Sequence, residues 1–147
     1  MSNIIINLKS KIKTEIQEVL DFGAASVKDY PTTDFQTYPA CAIRTDEGTG
    51  EYETTAENYE EYIFTLFFLQ LIDTEAHDPV KSRAIMEEIV GSVRLHFDTD
   101  EFMAGLSIPS GYAFLGIRPT HWRIYDEEAG KFVVGEVKIV ARISKTI

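Results

Sequence analysis

The run from Tyr59 to Leu71, YEEYIFTLFFLQL, constrains the fold more than any other stretch of the chain. From Tyr62 to Ile72 both alternation sets are largely apolar: Ile63, Phe67, Leu69 and Leu71 on one face, Tyr62, Phe64, Leu66, Phe68 and Ile72 on the other. A strand with one wet face alternates with polar residues, so this one needs cover on both sides. A chain of 147 residues reads as a single domain, 1–147, and supplies one layer of helices. The second cover is therefore expected from another copy of the protein.

The residues before this strand set up its connection. Pro39 to Thr45 reads as a short strand. Asp46 to Glu61 then holds Asp46, Glu47, Glu51, Glu53, Glu57, Glu60 and Glu61 and no Lys or Arg. Connections longer than about 12 residues are uncommon unless functional or disordered. Tyr52, Thr54, Thr55 and Tyr59 favour β-structure. The reading is a long acidic β-arm joining two strands. Its like charges repel within a Debye length of ~8 Å at physiological salt, and Tyr52 is the one large apolar side chain between Asp46 and Asn58. The arm is expected to be mobile in the free subunit and ordered against a neighbour, with Thr54 and Thr55 pairing along that neighbour's sheet edge.

Helices bracket this segment. Ser2 or Asn3 caps a first helix that runs to about Phe22, with Ile5, Leu8, Ile12, Ile16, Val19 and Leu20 in one apolar stripe. Lys9, Lys11, Lys13, Glu15 and Glu18 take its polar face, Lys11 and Glu15 as an i,i+4 pair, and Gly23 closes it. Val27 to Tyr38 reads as a loop with at most a short strand. Asp78-Pro79 opens a second helix as N-cap and first helical residue. Its stripe is Ile85, Met86, Ile89, Val90, Val93 and Phe97, and Gly91 is expected to let the sheet approach. After a loop from Asp98 to Gly111 come two strands, Tyr112–Tyr125, with a break at Arg118-Pro119, and Phe132–Ile143. Asp126 to Gly130 is the hairpin turn between them. The order helix, strands, helix, strands gives an α+β domain: an antiparallel or mixed sheet, two helices on one face and a long β-hairpin arm.

The formal charge of -10 argues against wrapping nucleic acid, whose affinity comes mostly from Lys and Arg on phosphates. The single Cys41 excludes an internal disulfide and reads as a small core residue. Ile4-Ile5-Ile6 is too short for a signal h-region, and the apolar run ending at Ile72 is about half a membrane span, so a soluble cytoplasmic product is expected. His77, His96 and His121 are scattered, no GxSxG is present, and Gly48-Thr49-Gly50 lacks the third glycine of a phosphate cradle. Asp46, Glu47, Glu51 and Glu53 lack the order of a calcium loop. No catalytic, cofactor-binding or metal-ligating set is expected. One pattern competes: Asp126 followed by Glu136-Val137-Lys138 resembles the D…ExK signature of a magnesium-dependent nuclease core, where two carboxylates hold the metal and a lysine activates water. The plainer reading puts Asp126 in a turn and Glu136 and Lys138 on the polar face of a strand.

Tyr38-Pro39-Ala40 entering a short strand, then Tyr52-Glu53-Thr54-Thr55-Ala56-Glu57-Asn58, then Tyr62-Ile63-Phe64 opening a long apolar strand, resemble the tail terminator (tail completion) proteins of long-tailed bacteriophages. The Thr-x-Glu-Asn step before a Tyr-x-Phe strand carries most of the match, which is clearest from Tyr38 to Leu71. The resemblance implies a small α+β subunit in a ring of six that caps the tail tube, ends its polymerisation and offers a surface to the head. It implies as partners further copies of the chain, the tail tube protein and a head-completion or connector protein. DNA would pass through without specific binding, and no membrane is involved. The implied location is the host cytoplasm during assembly, then the head-proximal end of the virion tail. The residues expected at the subunit interface are Glu51, Tyr52, Glu53, Thr54, Thr55, Glu57, Asn58, Tyr59 and Tyr62. A head-completion or connector subunit shares the size and the ring habit and is the alternative within the same class.

Overall fold

The computed structural model describes residues 4–20, 26–30, 32, 35, 38–52, 57–72, 78–97, 112–127 and 131–146. Along the chain these form α1 (Ile4–Leu20), β1 (Val27–Lys28), β2 (Ala40–Tyr52), β3 (Glu57–Leu71), α2 (Pro79–Phe97), β4 (Tyr112–Glu127) and β5 (Phe132–Thr146). The strands make one sheet in the order β1-β2-β3-β5-β4. β1 runs parallel to β2, and every other neighbouring pair is antiparallel. The α+β class with a mixed sheet is therefore the fold of the chain. The expected helix cap at Ser2 or Asn3, the stop at Gly23, the loop from Asp98 to Gly111 and the turn glycine Gly130 lie outside the described residues.

Both helices cover one face of the sheet because both carry an apolar stripe at helical spacing. Leu8, Ile12 and Ile16 of α1 and Met86, Ile89, Val90, Val93 and Phe97 of α2 are buried against Cys41, Ile43, Phe64, Leu66, Phe68, Val137, Ile139 and Ala141 of the sheet. α2 starts where Asp78 dictates: the Lys81 amide donates to Asp78 Oδ1 at 2.8 Å, and the Ser82 amide to the Asp78 carbonyl at 2.9 Å. Gly91 does not mediate the approach of the sheet, since a Cβ there would meet nothing within 4 Å. That role belongs to Gly135 on β5, where a Cβ would lie 2.5 Å from Met86 Sδ. Glu15 also departs from expectation. It sits only 4% exposed between the helices, with Lys11 Nζ and His96 Nε2 each 3.0 Å from its carboxylate. Burying a carboxylate is costly unless it is paired and hydrogen-bonded, and these two partners supply that.

The second face is closed at one end by the chain itself. Phe35 and Tyr38 pack with Ala40, Ala42, Leu69, Phe132 and Val134 in a separate buried cluster. A second copy is thus not needed to cover the apolar end of β3. Further along, the same face turns polar at Thr65, Glu136 and Lys138.

Two strand boundaries correct the sequence reading. β2 does not stop at Thr45 but runs to Tyr52 through a bulge at Asp46. β4 is not broken at Arg118-Pro119; it absorbs the irregularity in bulges between Phe114 and Gly116 and between Pro119 and His121. A proline is tolerated there because β4 is the last strand of the sheet, and its missing donor costs no ladder bond.

Candidate functional site

The acidic segment is a continuation of the sheet. Gly48 to Tyr52 pair with Tyr62 to Asn58, and Glu57 to Glu61 pair on their other side with Thr146 to Arg142 of β5. Its limbs are therefore held by backbone hydrogen bonds within one chain, which corrects the expectation of an arm without a partner in the free subunit. Of the expected interface residues, Glu51 and Tyr52 end β2, Glu57, Asn58 and Tyr59 begin β3, and Tyr62 lies half-buried against the main core, its hydroxyl donating to Glu60. Glu53, Thr54 and Thr55 lie outside the described residues.

The sheet face away from the helices carries a lattice of charge. Asp46 at the bulge accepts hydrogen bonds from Arg44 Nε and Thr65 Oγ1. Partial burial alone would raise its pKa, but those two hydrogen bonds, with the charges of Arg44 and Lys138, outweigh it and hold Asp46 below the usual carboxylate range. Across the sheet Arg123 donates to Glu136, and the Arg123 guanidinium also lies 4.6 Å from the centre of the Tyr125 ring. Burial, then the charges of Glu136 and Glu127, push the Tyr125 hydroxyl pKa up. Arg44, Thr65, His121, Arg123, Glu136 and Lys138 line a hollow of about 250 Å³. A second of about 420 Å³ has an apolar floor of Ala42, Phe67, Leu69 and Val134. The Arg44 guanidinium lies 4.8 Å from the centre of the Phe67 ring beside it. The sequence signal for this lattice was present in the i,i+2 spacing of His121, Arg123 and Tyr125, which puts all three on one face.

The nuclease-like residues are not brought together. Asp126 is in register with Val133, on the face that carries the helices, whereas Glu136 and Lys138 pair with Phe67 and Thr65 on the opposite face. Glu136 is held by Arg123. His96 is occupied by Glu15, His121 is exposed on β4, and His77 lies outside the described residues. Cys41 is buried, which pushes its thiol pKa well up and keeps it a thiol. Among the described residues no three His, Cys, Asp or Glu side chains come close enough to hold a metal ion, and no helix is long and apolar enough to cross a membrane.

The sheet edges are the remaining reactive feature. β1 pairs only with Cys41 and Ala42, so among the described residues nothing pairs the outer side of β2 from Ile43 to Tyr52. No described strand pairs the outer side of β4 either. β4 carries Leu115 and Trp122, 48% and 46% exposed. Trp122 stands beside Arg94 of α2, with 5.4 Å between guanidinium and ring centre, in a groove of about 330 Å³ that includes Arg83, Glu87, Gly91 and Ile124.

No family model matches the sequence, and no curated protein matches it. Among solved structures, the fold is similar to that of a chain in the virion of a native gene transfer agent particle, with a TM-score of 0.62 and 9% identity. The likeness spans 98% of this chain and 99% of the other.

Proposed function

We propose that this chain is a structural subunit of a phage-like virion, a tail terminator that closes into a ring of six on the finished tail tube and offers its far surface to the head. The whole-chain similarity of fold to a chain of a gene transfer agent virion is the observation that carries this reading. The Thr-x-Glu-Asn and Tyr-x-Phe resemblance across the β2–β3 hairpin narrows it to the terminator. The geometry is suited to such a part. A two-layer body presents a long hairpin and, among the described residues, strand edges without a partner on both sides of the sheet, features that suit a ring subunit reaching its neighbours. A net charge of -10 suits a channel that DNA must traverse without adhering. Partners are other copies, the tail tube protein and a connector protein. The reading carries no catalytic step, no cofactor and no metal.

Electron microscopy of the protein mixed with polymerising tail-tube subunits tests the reading. Tubes that stop growing and end in a ring of added density are expected. Tubes that grow without limit and have bare ends refute it. Binding to the portal-side connector and not to tubes makes the chain a head-completion subunit. Incubation with DNA and magnesium or manganese is expected to leave the DNA intact. Cleavage lost in Glu136→Ala and Lys138→Ala places the protein in the nuclease class.

A further inference from the structure

We infer that the sheet face away from the helices holds a docking site for the free C-terminus of another protein chain, one whose last side chain is large and apolar. The inference goes beyond the ring reading and does not depend on it. Two hollows meet on this face, and Arg44 borders both. The larger, about 420 Å³, is of the size that small ligands occupy and has the apolar floor Ala42, Phe67, Leu69 and Val134. The smaller, about 250 Å³, is cationic. Three cations there, Arg44, Arg123 and Lys138, face two acids, Glu136 and Asp46, which leaves one positive charge in excess on a chain of formal charge -10.

The ion pairs already made do not use up these donors. Arg44 and Arg123 each meet their acid through Nε, and a guanidinium has five N–H donors. Their side chains stay 46% and 60% exposed, so the remaining donors are within reach of a ligand. Lys138 forms no ion pair with a described residue and acts on Asp46 through charge alone. Register fixes the spacing. Leu69 and Val134 form one cross-strand row, Phe67 and Glu136 the next, Thr65 and Lys138 the third, and alternate residues of a strand lie about 7 Å apart. An apolar side chain seated over Phe67 and Leu69 therefore leaves a carboxylate on the same residue beside Arg44 and Lys138. Glu127, in register with Phe132, stands at the end of the larger hollow away from Lys138 and disfavours the reverse orientation.

A C-terminal residue carries both groups on one Cα. In an extended segment neighbouring side chains point to opposite faces, and a longer segment laid across the face would bury the Arg44–Asp46 and Arg123–Glu136 pairs at a cost in desolvation. One terminal residue avoids that. A phosphate would use the cations but leave the apolar hollow empty.

The test titrates acetylated Ala-Ala-Ala-Phe, with a free carboxylate or a C-terminal amide, into the isotope-labelled full chain at neutral pH and follows the backbone amide resonances. The free acid should shift the amides of Arg44, Phe67, Leu69 and Lys138 to saturation. The amide form, and an acid ending in Ala, should each bind about tenfold more weakly. Lys138→Gln should weaken binding of the free acid about three- to tenfold while Lys138→Arg retains it, and the spectra of the variants themselves report that both are folded. No shift, shifts confined to other residues, acid and amide binding alike, or Phe and Ala ends binding alike overturn the site. So does equal binding of a peptide that carries Phe and Asp internally between blocked ends. Inorganic phosphate or a short DNA duplex shifting these amides where the peptides do not makes the hollow a phosphate site and overturns the C-terminus as its ligand. None of these results bears on whether the chain closes into a ring on tail tubes, so the two readings fail separately.

Discussion

Alanine at Gly135 and at Gly91 should move stability in opposite directions, which tests how α2 lies on the sheet. At Gly135 a Cβ would come 2.5 Å from Met86 Sδ, 2.7 Å from Val90 Cγ2 and 3.0 Å from Met86 Cγ. Met86 can rotate away, but Val90 is β-branched and holds essentially one rotamer in a helix. The helix itself must therefore lift from β5. Overpacking of this kind costs ~1–3 kcal/mol. Replacing a strand glycine returns about 0.5–1 kcal/mol of backbone entropy, so the net loss spans about 0–2.5 kcal/mol, and the close approach to the β-branched Val90 puts the expected value in its upper half, about 1–2.5 kcal/mol. For a domain of this size that lowers Tm by roughly 2–10 °C. At Gly91 nothing lies within 4 Å, so Gly91→Ala should gain about 0.5–1 kcal/mol from helix propensity. Urea unfolding, compared at the midpoint with m unchanged, measures both. Adding Met86→Ala to Gly135→Ala should give a non-additive result, because the added methyl then enters the space that Met86 leaves. Gly135→Ala with wild-type stability or better would mean that α2 stands off β5, and the packing argument fails.

Three further outcomes follow from single side chains. Glu15→Ala should lose about 1–3 kcal/mol, the range for a charge-assisted hydrogen bond, while Glu15→Met should stay within about 1 kcal/mol of wild type because an apolar side chain of similar volume needs no ion partner; urea unfolding separates the two. Asp46 has a folded pKa below its usual value, so its stabilisation is present at neutral pH and is lost as pH falls through the folded pKa. Asp46→Asn should flatten stability against pH below about 4, with an effect at pH 7 within about 1 kcal/mol because Arg44 is exposed to solvent screening. Cys41 should resist a thiol reagent in the folded protein and react at the unfolding transition, since burial withholds both access and the thiolate.

The helices and the order of elements were legible because their signals are local. A 3.6-residue stripe and an Asp-Pro start fix α2 without reference to the rest of the chain. β5 was equally plain: period-2 spacing puts Val133, Val137, Ile139, Ala141 and Ile143 on one face, and all five are buried. What sequence alone hid depends on partners distant along the chain. Asp46, Glu47 and Glu51 lie in a strand because β3 satisfies their backbone, which no propensity of an acidic, glycine-rich stretch announces. Glu15 reads as a surface residue until His96, 81 positions later, arrives beside it. Gly91 and Gly135 are indistinguishable as letters; only the register of β5 under α2 separates the glycine that is required from the one that is tolerated. The edge position of β4 did leave a trace, because a proline within a strand pattern argues for an edge.

The case for assembly changes its footing once the sheet is seen. Two apolar faces on β3 suggested that a second copy must cover what the helices cannot. Phe35 and Tyr38 meet much of that demand from within the chain, and the rest of the face is a lattice of paired charges around Asp46 and Glu136. A face of that kind is content with water, because its ion pairs already have partners and burying them would cost desolvation. The backbone at the outer sides of β2 beyond Ala42 and of β4, which no described residue pairs, is different. Water satisfies it, but a second strand satisfies it equally and adds the burial of Leu115 and Trp122. If the proposed ring forms, its driving force is therefore expected at the edges of the sheet. Substitutions on the open face, such as Lys138→Ala, should then leave oligomeric state unchanged, whereas Trp122→Glu should shift it toward monomer. Sedimentation velocity on the two variants decides between face and edge: loss of assembly in Lys138→Ala with assembly intact in Trp122→Glu would put the interface on the face.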